Sequence, residues 1–208
     1  ARGAPPPQAG EQVHKAADVL RAAGLPDAYR RTVAQWPAGT ALVPGARPYP
    51  DVVDRAELLL PEAQAMRQMQ LWDTAGYLSD DILTKVDRAS MAASLEVRVP
   101  LLDHRVVAFG WQLPDDFLID AGGGKRILRD VLARYVPREI TDRPKTGFAV
   151  PIGAWLRGPL RAWAEANLDP ERLRAQGLID PEPVQKAWRE HLSGRANRAA
   201  SLWTVLMF

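Results

Sequence analysis

Tyr77 to Asp103, YLSDDILTKVDRASMAASLEVRVPLLD, is the stretch on which the reading of the fold turns. Ile82, Leu83, Val86, Met91 and Leu95 recur at helical spacing, with Asp80, Asp81, Lys85, Asp87 and Arg88 between them. That pattern predicts an amphipathic helix ending near Ser94. Ser79 is placed to cap it, and Asp80 and Asp81 in its first turn complement the helix dipole by ~0.3–1 kcal/mol per exposed site. Pro100 disfavours helix in the residue before it, so Val97 to Leu102 should be extended. Asp103 is then placed to cap a helix running to about Gln112, and Pro114 ends it.

Alternation along SLEVRVP puts Glu96 and Arg98 on one side and Leu95, Val97 and Val99 on the other. The plainer reading is a structural ion pair, which contributes little when exposed. The functional reading is a carboxylate that orients an amine or ammonia nucleophile and accepts its proton.

Outward from this stretch the chain reads as helices broken by proline and glycine. Residues 1–10, ARGAPPPQAG, are expected to be a disordered lead-in or linker, and residues 11–208 to form the folded part. Helices are expected from Glu11 to Ala23, over DAYRRTVAQW, and from near Pro61, where Ala63, Met66, Met69, Trp72 and Tyr77 face inward. Others are expected over Ile127 to Tyr135, Ile152 to Leu156, Leu160 to Asn167, Pro181 to Leu192 and SLWTVLMF. Alternating or β-rich runs are not convincing anywhere, so a mainly α chain is expected. The apolar ending at Phe208, without a polar tail, has the look of a truncated chain.

The composition is that of an ordinary globular protein, 47% hydrophobic and 25% charged, with 27 basic residues against 25 acidic. The arginines are spread and have acidic neighbours, which argues against a nucleic-acid stripe. Zero cysteine excludes disulfides, thiolate zinc sites and cysteine nucleophiles. His14, His104 and His191 are too scattered for metal-ligand spacing, so no metal site is expected from this chain alone. No apolar run approaches the ~20 residues that span a bilayer, and ARGAPPPQAG lacks the apolar core of a secretory signal, so a cytoplasmic location is expected.

Lys145 lies in DRPKTGFAVPIGAW, a passage rich in loop residues, with Arg143 beside it and Phe148 as an anchor. A lysine there could stabilise phosphate charge during adenylate formation; the plainer reading is a solvated lysine. Gly122, Gly123, Gly124 and Lys125 invite comparison with a phosphate loop, but Arg126 stands where Ser or Thr is needed. A tight turn is the better reading.

In order and spacing, YLSDDILTKVDRASMAASLEVRVPLLDH, GGGKRILRDVL, YVPREI, RPKTGFAVPIGAWLRGPL and LWTVLMF resemble successive blocks of the glutamine-dependent asparagine synthetase family. The resemblance implies the helical C-terminal portion of an α/β PP-loop synthetase domain (adenine nucleotide alpha hydrolase-like), with its parallel sheet largely absent from this chain. It implies ATP with Mg2+, aspartate converted to a β-aspartyl adenylate and attack by ammonia released from glutamine, and it leaves room for a homodimer. On the E-x-R-x-P motif the family's glutamate matches Glu96, implied to be catalytic in handling the incoming nitrogen. On R-x-K-x-x-F its lysine matches Lys145, implied to stabilise phosphoryl charge. Arg98 and Asp103 are implied to support substrate binding. The S-G-G-x-D-S pyrophosphate loop, the G-G-D-E-x-F-x-G-Y segment and the glutaminase cysteine are not found in this sequence, so the chain is expected to be inactive alone.

Two alternatives share these residues. One is a related synthetase that closes an intramolecular amide, as in β-lactam or lasso-peptide formation. The other is a non-catalytic helical module that binds a protein through exposed tryptophans. Against the latter, Trp111, Trp155, Trp163, Trp188 and Trp203 sit beside apolar residues in positions suited to helix cores.

Overall fold

The structure, a computed structural model, describes residues 9–37, 39–47, 49–61, 64–143 and 150–208. The described residues are predominantly helical, with thirteen α-helices, as the sequence pattern predicts. Residues 1–8 of the expected lead-in lie outside them, and α1 begins at Ala9. The chain divides into two compact units, residues 1–81 with 150–208 and residues 82–149.

In the first unit, α1 (Ala9–Leu20) and α2 (Leu25–Val33) are joined by Arg31, which bonds Asp18 at 2.8 Å and Asp27 at 2.9 Å. Tyr29, Val53 and Trp72 form a small core beside α3 (Ala65–Ala75), with Leu25, Val52, Leu58 and Met69 around it. The Tyr29 and Trp72 rings lie 5.1 Å apart, and the Tyr29 hydroxyl donates to Asp73 at 2.8 Å. Burial first, and then that carboxylate, push the Tyr29 phenol well above its ordinary range. The buried Gln68 accepts from Leu60 N–H and donates to the Leu58 carbonyl, satisfying the strand of chain that leads into α3.

The larger core of this unit belongs to its C-terminal helices: α9 (Ile152–Arg157), α10 (Arg161–Asn167), α11 (Pro170–Gln176), α12 (Pro181–Leu192) and α13 (Ala199–Met207). Leu156, Leu168, Leu173, Val184, Trp188 and Leu202 are buried together. Asp169 and Asp180 cap α11 and α12, each followed by a proline whose missing N–H is no loss in a first turn. Leu42 and Trp36 pack on the same core, where the Asp180 N–H donates to the Leu42 carbonyl at 2.8 Å and Trp36 donates to Thr204 at 3.1 Å.

Several local expectations change. The Asp169-Pro170 pair read as punctuation opens a helix, α11. Ser79 is not a cap: Leu78–Leu83 winds as a wide π turn, and the Asp80 N–H already donates to the Gly76 carbonyl. Its hydroxyl faces Gly76 O at 3.0 Å and Asp80 Oδ1 at 2.8 Å instead. Gly76 ends α3 with a sharply altered backbone, so the following Tyr77 points to solvent rather than inward. Val13 and Leu20, expected on an inward face of α1, are also exposed. Of the tryptophans read as core, Trp188 is buried while Trp155 and Trp163 are exposed at the rim of the C-terminal helices.

The second unit runs through α4 (Thr84–Met91), an extended segment, a 3₁₀ turn at Pro100–Leu102, α5 (His104–Gln112) and α6 (Asp115–Leu118). A two-residue antiparallel pair follows, β1 (Ile119–Asp120) with β2 (Gly123–Gly124), Ile119 opposite Gly124. It is the one sheet among the described residues, too short to leave a β-rich run in the sequence. The unit then continues through α7 (Arg126–Leu132) and α8 (Arg138–Thr141). None of its described residues is buried. Among the described residues of the whole chain, no helix is long and apolar enough to cross a membrane.

Candidate functional site

The geometry around Glu96 starts at the end of α4. The Leu95 N–H donates back to the Ser90 carbonyl at 2.9 Å, and Ser94 adopts the left-handed conformation at φ 56°. A non-glycine residue rarely sits there, because its Cβ crowds the backbone, at a cost of order 1–3 kcal/mol. The turn redirects the chain, and the segment up to Val99 leaves α4 without helical winding.

Glu96 and Arg98, two residues apart, meet across one side of this segment, Oε1 to NH2 at 2.5 Å. Their side chains are 69% and 84% exposed, so the pair contributes little to stability. What it does is set a carboxylate and a guanidinium side by side at an open surface. Leu95, Val97 and Val99, on the alternate side, are exposed as well.

The extended chain expected over Val97 to Leu102 stops at Val99, because Pro100–Leu102 closes into a 3₁₀ turn, with the Leu102 N–H donating to the Val99 carbonyl at 3.0 Å. Asp103 follows that turn as the N-cap of α5, as its position before the helix predicts. Its carboxylate accepts from the Arg105 N–H at 2.9 Å and from Arg105 Nε and NH2, both at 2.9 Å. The Arg105 guanidinium, and after it the Arg105 amide, holds the carboxyl below the usual aspartate range. Asp103 thus fixes the start of α5 beyond the turn, while Glu96 and Arg98 pair with each other in the extended segment. Lys145 lies outside the described residues.

The turn at Gly122 to Gly124 is closed by a clamp that the sequence reading missed. Asp120 Oδ1 accepts from the Gly122 N–H at 2.8 Å and from Arg129 NH2 at 2.7 Å, and Arg129 also donates to the Gly123 carbonyl at 3.1 Å. Arg129 in turn, before the other groups, holds the Asp120 carboxyl low. A Cβ placed on Gly122 would come within 3.0 Å of Arg129 NH1 and 3.1 Å of Asp120 Oδ1. The space beside Gly122 is thus taken by Asp120 and Arg129, whereas nothing lies within 4 Å of a Cβ placed on Gly123 or Gly124; the glycines form the tight turn that the sequence pattern predicts. The D-x-G spacing of Asp120 and Gly122, an Asx-turn signature, was the available clue.

No three acidic or histidine side chains among the described residues gather closely enough to hold a metal ion.

Comparison with known proteins adds what this geometry lacks. A family model described as Asparagine synthase matches residues 1–208. A Mycobacterium tuberculosis protein named "Putative asparagine synthetase (glutamine-hydrolyzing)" is 41% identical over 142 residues, covering 68% of this chain and 22% of that protein. Asparagine synthetase (glutamine-hydrolyzing) 1 of Bacillus subtilis is 33% identical over 143 residues, 69% of this chain and 22% of that one. Asparagine synthetase (glutamine-hydrolyzing) of Mus musculus is 31% identical over 143 residues, 61% of this chain and 25% of its own. The chain spans about a fifth of the length of the curated relatives it matches. No solved structure matches.

Proposed function

The chain belongs to the asparagine synthase family, and on that premise we propose that it is part of an ATP-dependent, amide-forming ligase. The reaction proposed for the intact enzyme activates the side-chain carboxylate of aspartate as β-aspartyl-AMP, with Mg2+ accompanying the nucleotide. Ammonia derived from glutamine then attacks that acyl group in the cytoplasm, giving asparagine. The PP-loop domain expected for such an enzyme would supply the pyrophosphate loop, and the 208-residue chain alone is proposed to be inactive.

Glu96 is the catalytic base of this proposal. When nitrogen attacks the activated carbonyl, a C–N bond forms, the bond to the phosphate oxygen breaks, and the nitrogen must lose a proton; Glu96 receives it. A carboxylate positioned for such a transfer contributes a factor of roughly 10²–10⁴. Arg98 and Asp103 are proposed to support substrate binding, Arg98 also pairing with Glu96, and Lys145 is proposed to stabilise the phosphate charge that develops during activation. The observation that carries the reading is the Glu96–Arg98 pair, set on an open extended segment in a chain matched from residue 1 to 208 by the family model.

We attribute the exposed apolar row of residues 82–143 to a further part of the synthetase domain that covers it in the intact enzyme. The test of function is aspartate-dependent AMP production by the full-length protein with glutamine or ammonium. AMP and asparagine formed in equal amounts support the ligase; a sound preparation that forms neither removes it, and AMP formed only with an acceptor carrying its own amine favours the ring-closing relatives.

A further inference from the structure

We propose that His191 is an acid-sensitive latch joining α9, α12 and the start of α13, and that its protonation frees α9. The side chain is fully buried at the end of α12. Its Nδ1 accepts the Arg198 N–H at 3.2 Å and faces Arg157 NH2 at 3.3 Å, while Nε2 lies 3.2 Å from the Gly153 carbonyl. An amide N–H only donates and a carbonyl only accepts, so Nδ1 carries the lone pair and Nε2 the proton. The surroundings therefore select a neutral ring in one tautomer.

Each partner belongs to a different segment. Gly153 and Arg157 are on α9, and Arg157 Nε also donates to the His191 backbone carbonyl at 2.8 Å. Arg198 leads into α13, and its guanidinium is held by Glu190 of α12 at 2.8 Å. Gly153 permits the approach, since a Cβ there would meet Asn197 Oδ1 at 3.3 Å, His191 Cε1 at 3.5 Å and Ala199 Cβ at 3.6 Å. Trp188, stacked at 6.3 Å, closes another side of the ring.

Charged groups near this ring include Arg157 from α9, Arg198 from the α13 side and Glu190 from α12, the last engaged by Arg198. A proton added at Nδ1 meets two donors, one of them cationic, and must displace both. The latch consequently takes up its proton as it opens. Its contribution is complete above the ordinary imidazole value of ~6.5 and is lost as pH falls below it.

This proposal rests on the packing of the first unit and not on the proposed reaction, so the two fail separately. Amide hydrogen exchange of the full-length protein, corrected for intrinsic rates, tests it. Between pH 7.5 and 5.5 the opening of 152–157 and 187–192 should rise about tenfold, while that of 25–33 stays constant. His191→Gln keeps an N–H for the Gly153 carbonyl but gains no charge, and should abolish the pH dependence. Opening that ignores pH, or a pH dependence that persists in His191→Gln, overturns the latch. Exchange at the imidazole Cε1–H of the unaltered protein decides the matter even if the variant does not fold. Slow exchange that does not trace an imidazole titration supports the latch, and an ordinary titration centred near ~6.5 overturns it.

Discussion

Residues 150–208 and residues 82–143 carry similar apolar side chains and treat them in opposite ways. In the first region Leu156, Val184 and Leu202 have no exposed surface. In the second, Val86, Met91, Leu95, Val97, Val99 and Leu101 all stand in solvent. A helical or alternating pattern says only which side of an element is apolar; burial needs a second element to lie against it, contributing roughly 1.5–3 kcal/mol for each side chain fully removed from water. The helices α9 to α13 supply one another with such surfaces. The segment that carries Glu96 and Arg98 does not find one within its own unit, so the part of the chain proposed to carry chemistry has the least core.

Replacing one buried side chain is the strongest way to probe that contrast. Leu202→Ala should cost about 2–5 kcal/mol in the 208-residue chain, through lost burial and the cavity left behind, read as a lowered denaturant midpoint. A cost below about 0.5 kcal/mol would break the comparison, because the C-terminal helices would then not share a tight core.

Capping tests the next level. Asp180→Ala removes the acceptor for the Glu182 N–H at the start of α12 and should lower stability by about 1 kcal/mol, with Asp180→Asn recovering most of it. Hydrogen exchange should place that loss in the first turn of α12. A loss of protection spread evenly over the second unit would show that the two regions do not differ in the way described.

A smaller effect concerns acid. Arg30 bonds Asp51 at 2.9 Å and Asp54 at 2.6 Å, and its guanidinium, more than the opposing effect of burial, holds the Asp51 carboxyl low. The folded value is thus below the unfolded one, so the contribution is complete above ~3.9 and is lost as pH falls through the folded value. Asp51→Asn should lower the stability of the first unit near neutrality, where the ion pair is complete, and flatten its profile below about pH 4. An unaltered acid limb in urea titrations would count against the ion pair.

The smallest change is expected at Leu101, 57% exposed. Leu101→Ala should shift the stability of the 208-residue chain by less than about 0.5 kcal/mol, but cost about 2 kcal/mol or more in the full-length enzyme if another part of the domain covers it. Equal small effects in both would show that this apolar row is never covered.

How far the sequence anticipated the structure follows the same division. Helix α12 was legible residue for residue, because Asp180-Pro181 marks its start and its apolar spacing is regular. Asp103 was legible as the cap of α5, and alternation alone placed Glu96 beside Arg98. Local chemistry decides each of these. The π turn at Leu78–Leu83 was not legible, because the same residues suit an ordinary helix start and only the backbone break at Gly76 distinguishes the two. Nor was the exposure of Trp155 and Trp163, since a tryptophan beside apolar neighbours reads as core unless the opposing element is known. The role proposed for Lys145 was not written in its loop context and came from the resemblance to the ordered family pattern.

The account therefore stands on what Glu96 and Lys145 do in the intact enzyme, and one paired assay addresses both. With ammonium supplied directly, aspartate-dependent ATP–pyrophosphate exchange reports activation and asparagine formation reports nitrogen transfer. Lys145→Ala should lower exchange about a hundredfold or more, whereas Glu96→Gln should retain exchange and lose about a hundredfold or more in asparagine formation. Both variants, correctly folded, running both half-reactions at the unaltered rate would contradict the roles given to these two residues.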